Sequence, residues 1–353
     1  MTISEQLLSW YKKNSRDLPW RHTKNPYLIW LSEIIMQQTR IEQGTPYYEK
    51  FVTTWPGVKE LAEATEEEVL KLWQGLGYYS RARNLHETAR IIMQEYDGKF
   101  PATYPNIRKL KGIGDYTAAA IGSICFNLPY PVVDGNVLRF LSRVFGIRES
   151  IDLAVTNGKI QALALEHIDH NQPGDFNQAM MEFGALVCKP ANPGCVDCVF
   201  SGICVAFNSN TVGEIPARNA KATIRHRYIH YLVVTVSVGK DKFIFLNKRT
   251  GRDIWKNLYD FPSLEFSSDN KGSSLNEDDF NNLLCCPTPK FQQVSGPYIH
   301  QLTHQKLHGR FYHVHFDKPV ELPYLLVPLH EIHQYPVPRL IDHYMLHHIL
   351  MLK

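Results

Sequence analysis

The sequence has no long apolar run and no strong excess of charge of either sign. No uninterrupted apolar stretch approaches the roughly 20 residues that a membrane-crossing helix requires. The N-terminal segment MTISEQLLSWYKKN lacks the basic and apolar regions of a secretory signal peptide. With 38 Lys and Arg against 35 Asp and Glu, the net charge of +3 permits a nucleic-acid partner without requiring one. We therefore expect a cytoplasmic chain with no membrane partner.

Cysteine is also scarce, and its distribution argues against a disulfide framework. The chain has 7 cysteines, an odd number, and four of them follow the spacing C-X6-C-X2-C-X5-C. Four thiols in one short segment predict a metal site. A structural zinc site more often pairs two C-X2-C units, so zinc is the alternative. One such unit with longer single arms favours a [4Fe–4S] cluster held by Cys188, Cys195, Cys198 and Cys204.

The patterns that are present indicate two domains. A length of 353 residues exceeds that of one ordinary domain. Helical periodicity dominates residues 1–207, and residues 208–224 are polar and interrupted by Pro and Gly. Strand-like alternation follows over residues 225–353. We predict an all-α domain that includes the cysteine loop (188–204), a linker, and a small α/β domain.

The sequence LKGIG is a glycine-paired turn between two helical patterns. Gly112 and Gly114 allow backbone N–H groups to approach a phosphate closely, and the N-terminus of the next helix adds a favourable dipole. Such contacts position a duplex without reading its sequence. A simple connection between packed helices is the alternative. A second turn, GLGYYSRAR, offers aromatic and basic groups for bases and phosphates, namely Tyr78, Arg81 and Arg83, although a solvated basic helix start is also open.

Two carboxylates are distinguished by their surroundings. Glu33 is the one acidic residue in the apolar helical segment YLIWLSEIIM, so burial should raise its pKa towards that of a general acid. A partly exposed glutamate paired with an arginine is the alternative. Asp134 follows two prolines in a VDG loop, and a helical pattern begins near Val137. This order predicts that Asp134 lies at a helix N-terminus.

Together, the cysteine spacing, the LKGIG turn and the VDG loop resemble the helix-hairpin-helix DNA glycosylases that carry a [4Fe–4S] cluster. Within that superfamily, SEIIMQQTR, GLGYYSRARNL, GIGDYTAAAIGS and VDGNVLRFLSR resemble the adenine DNA glycosylase, or MutY, family. The resemblance runs through Phe207, and Lys111 departs from the proline usual in the hairpin. It implies an all-α helix-hairpin-helix glycosylase domain with an iron–sulfur loop, followed by a small α/β Nudix-like domain.

The resemblance also implies an activity and a set of site residues. The chain would be a hydrolase that removes adenine mispaired with 8-oxoguanine or guanine from DNA by breaking its N-glycosidic bond. Glu33 would protonate the adenine ring and later activate water, and Asp134 would stabilise or trap the sugar cation. Tyr116 and Asn136 would support Asp134. Trp20, Arg21 and Gln178 would line the adenine pocket, and Gln38 and Tyr78 would fill the gap left in the duplex. Phosphates would be contacted by Lys111, Gly112, Gly114 and Lys189.

Position 116 separates two classes of enzyme within this superfamily. Bifunctional, endonuclease III-like members place a Schiff-base lysine there, whereas this chain has Tyr116 and so lacks the amine nucleophile. Monofunctional base excision is favoured. A bifunctional glycosylase/AP lyase remains one alternative. A non-catalytic iron–sulfur DNA-binding protein is another, which the presence of both Glu33 and Asp134 disfavours.

The segment IWKNLYDFP resembles the Nudix-like C-terminal domain of the same family. It comes without the acidic REXXEE-type helix that a Mg²⁺-dependent Nudix hydrolase needs, so we expect it to read DNA. The family recognises 8-oxoguanine with a Phe-Ser-His loop, which Leu302, Thr303 and His304 match except for the aromatic residue. The expected partner is double-stranded DNA with an A:8-oxoguanine or A:G mismatch, bound by a monomer at the bacterial nucleoid.

Overall fold

The computed structural model describes residues 1–219, 224–266, 277–287 and 293–348. The chain divides into two compact units. The first comprises Met1–Glu63 and Asn84–Ala220, and the second comprises Ala64–Arg83 and Lys221–Lys353. The predicted linker includes residues 220–223, which lie outside the described residues. The domain boundaries at 207 and 225 stay a prediction.

Helices make up the regular structure of residues 1–219. One short 3₁₀ helix, Pro19–His22, lies among them. Within the part of the chain that the structure describes, no helix is long and apolar enough to cross a membrane. The α-helices are α1 (Ile3–Asn14), α2 (Pro26–Met36), α3 (Ile41–Thr54), α4 (Val58–Glu63), α5 (Glu66–Leu72), α6 (Ser80–Glu95), α7 (Tyr104–Lys109), α8 (Asp115–Phe126), α9 (Gly135–Phe145), α10 (Ala154–His167), α11 (Pro173–Leu186) and α12 (Val205–Asn208).

The helix boundaries follow capping signals in the sequence. At the start of α5, the Glu68 N–H donates to Thr65 Oγ1 at 3.2 Å and the Thr65 N–H donates to Glu68 Oε2 at 2.7 Å. This reciprocal pair satisfies N–H groups that the helix itself leaves unpaired. Asp134 caps α9 with its side chain alone, which accepts from backbone N–H groups of the first turn. The prediction that Asp134 lies at a helix N-terminus is confirmed.

The core of the first unit gathers around α9 and α11. Phe140 and Phe183 are almost fully buried, and their ring centroids lie 5.1 Å apart. The two helices approach closely because α11 carries a glycine at the contact. A Cβ atom added to Gly184 would lie 2.7 Å from the Cβ of Asn136. Close packing therefore fixes the start of α9 and the loop that precedes it.

The second unit is built on a mixed sheet. Its strand order is β3-β2-β1-β6-β5, with β4 paired to β1 and β7 paired to β2. Strands β1 and β6 run parallel over twelve residue pairs. The strands are β1 (Arg225–Val238), β2 (Asp241–Lys248), β3 (Tyr259–Asp260), β4 (Ser263–Phe266), β5 (Gln293–Gln301), β6 (Gln305–Phe316) and β7 (Leu325–Pro328). Strands β1 and β2 form a hairpin that turns at Gly239 and Lys240, between the paired residues Val238 and Asp241.

Two helices cover opposite faces of this sheet. On one face, Phe280 of α13 (Glu277–Leu284) packs in a buried cluster with Leu232 and Tyr312. On the other, Tyr344 of α14 (Arg339–His348) stacks on Phe311, with ring centroids 3.7 Å apart. The combination of a helical unit and an α/β unit matches the predicted fold class.

Candidate active site

Glu33 lies on α2, in apolar surroundings. The side chain of Asn25 caps the helix. Leu31 and Ile34, which flank Glu33, are buried, and Glu33 itself is partly buried. Glu33 is thus the one carboxyl group on a helix whose other residues are mostly buried in the core.

The surroundings of Glu33 raise its pKa to about 7. Burial is the largest cause, because it disfavours the charged form. A hydrogen bond from the Tyr116 hydroxyl lowers the pKa, and the nearby Asp134 carboxylate raises it. Near neutral pH, Glu33 is therefore present in both protonation states, as a group that both donates and accepts a proton requires.

Asp134 is held by the first turn of α9. Its Oδ1 accepts from the backbone N–H groups of Asn136 at 2.9 Å and Val137 at 2.8 Å. Its Oδ2 accepts from the Asn136 side-chain amide at 2.7 Å. Burial raises the pKa of Asp134 above its ordinary value, and these three N–H donors oppose that rise. Because both oxygens already accept hydrogen bonds, the carboxylate is the form that this geometry stabilises.

Arg139 supports Asn136 from one turn further along α9. Its Nη2 donates to Asn136 Oδ1 at 2.9 Å and to the Gly184 carbonyl at 2.6 Å. Its Nε donates to the Cys188 carbonyl at 2.7 Å. One buried guanidinium therefore connects the support of Asp134 to α11 and to the cysteine loop. Arg139 was not among the site residues predicted from the sequence.

Asn177 fixes the loop that leads to Asp134, and it too was missed. It is fully buried on α11. Its Oδ1 accepts from the Val132 N–H at 2.9 Å, and its Nδ2 donates to Ser123 Oγ and the Tyr130 carbonyl, each at 2.9 Å. A buried amide whose hydrogen bonds are made in three directions holds the loop in one conformation.

Tyr116 lies in the first turn of α8, and its hydroxyl donates to the Glu33 carboxyl group. The same oxygen lies 3.4 Å from the Met181 sulfur. Burial is the main reason that the pKa of Tyr116 lies well above its ordinary value. The phenol therefore keeps its proton at neutral pH and acts as a hydrogen-bond donor. Both Glu33 and Asp134 lie close enough to raise the pKa of Tyr116, so its assignment as a support of Asp134 stays a prediction.

The three residues predicted to line an adenine pocket lie on the 3₁₀ helix Pro19–His22 and on α11. Tyr11 connects two of them: its hydroxyl donates to Gln178 Oε1 at 3.2 Å, and the Arg21 guanidinium lies 5.4 Å from its ring centroid. The Trp20 ring packs edge-on against Tyr48, at 5.2 Å between centroids. The arrangement offers an aromatic wall with a guanidinium and an amide nearby.

Glu182 holds Arg21 in place. Its carboxylate is 1% exposed and accepts from Arg21 at 2.7 and 3.0 Å. Arg16 donates to the same carboxylate from its backbone N–H at 2.9 Å and its guanidinium at 2.6 and 2.9 Å. Burial alone would raise the pKa of Glu182, but the two arginines hold it at about 2. Glu182 was not among the site residues predicted from the sequence, although it is a lone carboxylate in the apolar run MMEFGAL, the same signal that distinguished Glu33.

The LKGIG turn has the geometry of an exposed, glycine-dependent connection. Gly112 has φ +76°, and a Cβ atom there would lie 2.7 Å from the Asn84 Cβ. Gly114 has open space at its Cβ position, so its backbone is accessible. Lys111 is exposed and forms an ion pair with Glu87. The turn therefore presents backbone N–H groups and one basic side chain at the surface.

Two predicted DNA-contacting residues adopt left-handed backbone conformations. Gln38, which is exposed at the end of α2, has φ 54°, and Tyr78 has φ 48°. Such values are uncommon for residues other than glycine, and they often mark functional sites. In the second unit the Tyr78 hydroxyl shares a hydrogen bond of 2.5 Å with Thr303 Oγ1.

The other predicted residues of the second unit differ in exposure. Thr303 and His304 are exposed in the β5–β6 turn, and Leu302 is partly buried there. Arg81 is only 8% exposed, and its guanidinium lies 5.0 Å from the Trp73 ring centroid. Arg83 donates to the Lys256 carbonyl at 2.9 Å. The predicted phosphate contacts of the two arginines stay predictions, and their observed contacts are internal to the unit.

The four predicted metal ligands line one cavity in the first unit. Cys188, Cys195, Cys198 and Cys204 face it together with Phe140 and Phe200. Among the described residues, no three Cys, His, Asp or Glu side chains converge as they would on a single metal ion. Burial raises the pKa of Cys198 to about 11, so its thiolate requires a cation. Four thiols that line one largely apolar cavity fit the donors of a polynuclear iron–sulfur group.

Arg143 organises the cysteine loop. Its Nη1 donates to the Lys189 carbonyl at 2.7 Å and lies 3.5 Å from Cys188 Sγ, while its Nε donates to the Ile215 carbonyl at 2.8 Å. The Lys189 side chain is exposed on the same loop. Arg143 sits one helical turn after Arg139, so one side of α9 supports both the carboxylate site and the thiol cavity.

The helical unit, the glycine-paired hairpin and the capped aspartate define the class of protein. Residues 31–164 match the HhH-GPD superfamily of base excision DNA repair proteins, and residues 233–347 match a NUDIX domain. A thermostable thymine-DNA glycosylase of known structure aligns with 58% of this chain and 95% of its own, at 30% identity and a TM-score of 0.54. An endonuclease III–DNA complex, at 20% identity and a TM-score of 0.51, shares the fold. The protein is a DNA-binding glycosylase.

Comparison with sequence relatives narrows the class to one family. The adenine DNA glycosylase of Buchnera aphidicola subsp. Acyrthosiphon pisum is 37% identical over 264 residues, which cover 74% of each chain. That of Schizosaccharomyces pombe is 31% identical over 85% of this chain and 78% of its own, and the human protein is 43% identical over 57% and 38%. The chain belongs to the adenine DNA glycosylase family and is a hydrolase of the N-glycosidic bond. The family commonly carries a [4Fe–4S] cluster.

Proposed function

We propose that this chain removes adenine paired with 8-oxoguanine or guanine in double-stranded DNA, and that it does so without cutting the strand. One observation carries the proposal. Glu33, with a pKa near 7, lies close to the Asp134 carboxylate, which is held at a helix N-terminus. Two carboxyl groups with opposed environments divide the work of glycosidic hydrolysis.

Protonated Glu33 donates its proton to a ring nitrogen of the adenine that has been turned out of the duplex. The N-glycosidic bond breaks, its electron pair leaves with the base, and positive charge develops on the sugar. The Asp134 carboxylate stabilises or transiently traps this cation, helped by the dipole of α9. Glu33, now ionised, takes a proton from water as the oxygen bonds to the sugar carbon. The products are free adenine and an abasic site.

The supporting residues keep these two groups in their different states. Asn136 and the backbone of α9 hold Asp134 ionised. The Tyr116 hydroxyl donates to Glu33 and stabilises its charged form after proton transfer. At this position a phenol replaces the amine that a Schiff-base lyase would need, which supports monofunctional excision.

Recognition is assigned to three sets of residues. Trp20 stacks on the extruded adenine, and Arg21 and Gln178 satisfy its polar edge. Gln38 and Tyr78 fill the gap in the duplex, with the LKGIG backbone and Lys189 on phosphates. In the second unit, Thr303 and His304 read the 8-oxoguanine. Leu302 lacks the aromatic ring that the family has at this position. Contact through Thr303, which is hydrogen-bonded to Tyr78, therefore contributes more to recognition of 8-oxoguanine in this chain.

We also propose that Cys188, Cys195, Cys198 and Cys204 hold a [4Fe–4S] cluster. The cavity that they line and their spacing, one C-X2-C unit with longer single arms, support a cluster more than a zinc ion. When bound, the group supplies four strong bonds that fold the loop carrying Lys189, and hydrolysis needs no redox step from it. We place the chain as a monomer in the bacterial cytoplasm, at the nucleoid.

The test is a panel of duplexes with one labelled strand, incubated with excess enzyme. Adenine release from A:8-oxoguanine and A:G well above that from A:T supports the specificity. Each reaction is divided, and one half is treated with alkali. Strand breaks only after alkali support monofunctional excision, whereas breaks without alkali would show a lyase. Binding of the mismatch with no base release from any duplex would contradict the proposal and indicate a non-catalytic protein.

A further inference from the structure

Among the described residues of the second unit, one half of a sheet face carries aromatic and basic side chains. Residues on β1 and β6 alternate between the two faces. The Leu232 side of β1 and the Tyr312 side of β6 are covered by Phe280 of α13. Towards the start of both strands, the same face presents His226 and Tyr228 from β1, and Lys306, His308 and Arg310 from β6. We call these five residues the His–Tyr platform.

The platform is an ordered surface. Tyr228 is directly opposite His308, and their rings stack with centroids 4.6 Å apart. The His226 ring stacks on His308 at 5.3 Å, and the facing ring nitrogens are joined by a hydrogen bond of 3.1 Å. His226 is exposed, and the other four platform residues are partly exposed. These contacts stack the three rings face to face across the two strands, with Lys306 and Arg310 on either side of His308.

The strands that form this surface contribute basic side chains. In the described residues of β1, β4, β5 and β6, no Asp or Glu lies on the same face as the platform. Glu265 of β4 is paired with Ile229 and therefore lies on the opposite face. There Glu265 pairs with Arg227 at 2.6 Å. Lys306 and Arg310 are therefore not neutralised by an acidic neighbour across the strands. Strand β5 continues the platform with Ile299 and Gln301, which face His308 and Lys306.

The platform adjoins the turn that holds Thr303. Gln301 and Gln305 flank this turn, and the Leu302 N–H closes it with a bond of 2.8 Å to the Gln305 carbonyl. Lys306 is thus three residues from Thr303, and a strand rises about 3.3 Å per residue. The platform therefore begins about 10 Å along the strand from Thr303, a distance that a duplex bound at the turn would span.

We propose that the His–Tyr platform binds the sugar–phosphate backbone of duplex DNA next to the base read by the β5–β6 turn. This inference rests on the proposed function, which places DNA at that turn. Lys306 and Arg310 neutralise phosphates, and the imidazole and phenol groups donate hydrogen bonds to phosphate and sugar oxygens. The contact is independent of sequence, so it serves every duplex equally and helps the second unit to stay on DNA during the search for a mismatch.

The test compares Lys306→Gln/Arg310→Gln with Lys240→Gln/Lys242→Gln in the full chain. Both double variants remove two positive charges from the second unit, but Lys240 and Lys242 lie at the β1–β2 turn, at the other end of β1 from His226. Dissociation constants for a labelled A:T duplex and an A:8-oxoguanine duplex are measured by anisotropy from about 50 to 200 mM salt. Circular dichroism and melting curves establish that each variant is folded.

The platform variant is expected to lower the slope of log K against log salt by about 1 to 2, since each lost phosphate contact removes about 0.9. It should weaken both duplexes by the same factor, about three- to tenfold near 100 mM salt. The control variant should match the wild type. A slope equal to that of the control, in folded protein, would overturn the proposal. So would weakening confined to A:8-oxoguanine, which would indicate base reading. The slope does not depend on base release, so failure of the proposed function is detected separately by the duplex panel.

Discussion

Replacing Glu33 by glutamine should make the folded chain more stable at alkaline pH and should leave its stability almost unchanged in acid. Folding raises the pKa of Glu33 from 4.5 to about 7. Between these values the folded chain binds a proton that the unfolded chain has released, so wild-type stability falls as the pH rises. One pKa unit corresponds to about 1.4 kcal/mol, which gives a destabilisation of about 3 kcal/mol above pH 7. Glutamine does not ionise, so the variant does not undergo this destabilisation.

The assay is urea unfolding of the full chain at about pH 4.5 and about pH 8. The quantity of interest is the difference in the free energy of unfolding between variant and wild type. This difference should become more favourable to the variant by about 3 kcal/mol at the higher pH. Glu49→Gln, at an exposed position of α3, is the control and should show no such change. A difference that is the same at both pH values would refute the account of how α2 raises the pKa of Glu33.

Three further changes test other parts of the site. Tyr116→Phe removes a hydrogen bond to the charged form of Glu33, so the alkaline limb of the single-turnover rate should move to higher pH; movement to lower pH would contradict this. Glu182→Gln should lower the free energy of unfolding by about 3 kcal/mol at neutral pH. In urea unfolding, this difference from the wild type should shrink as the pH falls from 4.5 towards 2, because the wild-type carboxylate is then protonated. A difference that stays constant with pH would rule out the ionic contribution. Gly184→Ala forces a Cβ to 2.7 Å from Asn136 and should cost about 1–3 kcal/mol with slower adenine release, while Gly158→Ala, with open space in α10, should stabilise by about 0.5–1 kcal/mol. Equal melting shifts of these two variants would contradict the close packing of α9 on α11.

Features that depend on a few neighbouring residues could be predicted from the sequence. The capping box of Thr65 and Glu68 involves residues three apart, and the cap of α9 is formed by Asp134 and the next three residues. Glu33 stood out because its apolar neighbours are adjacent in the chain. In each case the interacting residues lie within about one helical turn of each other in the sequence. A local sequence pattern is therefore enough to show the interaction.

Contacts between distant residues could not be predicted in this way. Glu182 receives its hydrogen bonds from residues 161 and 166 positions away, and Asn177 reaches the Val132 N–H across 45 positions. A buried polar group needs partners, but nothing local says which residues supply them. For the same reason the pattern of residues 64–83 gave no sign that they belong to the second unit, where Glu67 pairs with Lys248 at 2.5 Å.

The central claim is that Glu33 and Asp134 together hydrolyse the bond to adenine in a mismatch. Single-turnover release of adenine from an A:8-oxoguanine duplex tests it most directly, with the wild type, Glu33→Gln, Asp134→Asn and the control Glu49→Gln at saturating enzyme. We predict that the control matches the wild type. Each of the two site variants should lose at least about 100-fold in rate while still binding the duplex. Release by Glu33→Gln or Asp134→Asn at a rate close to that of the wild type would contradict the account.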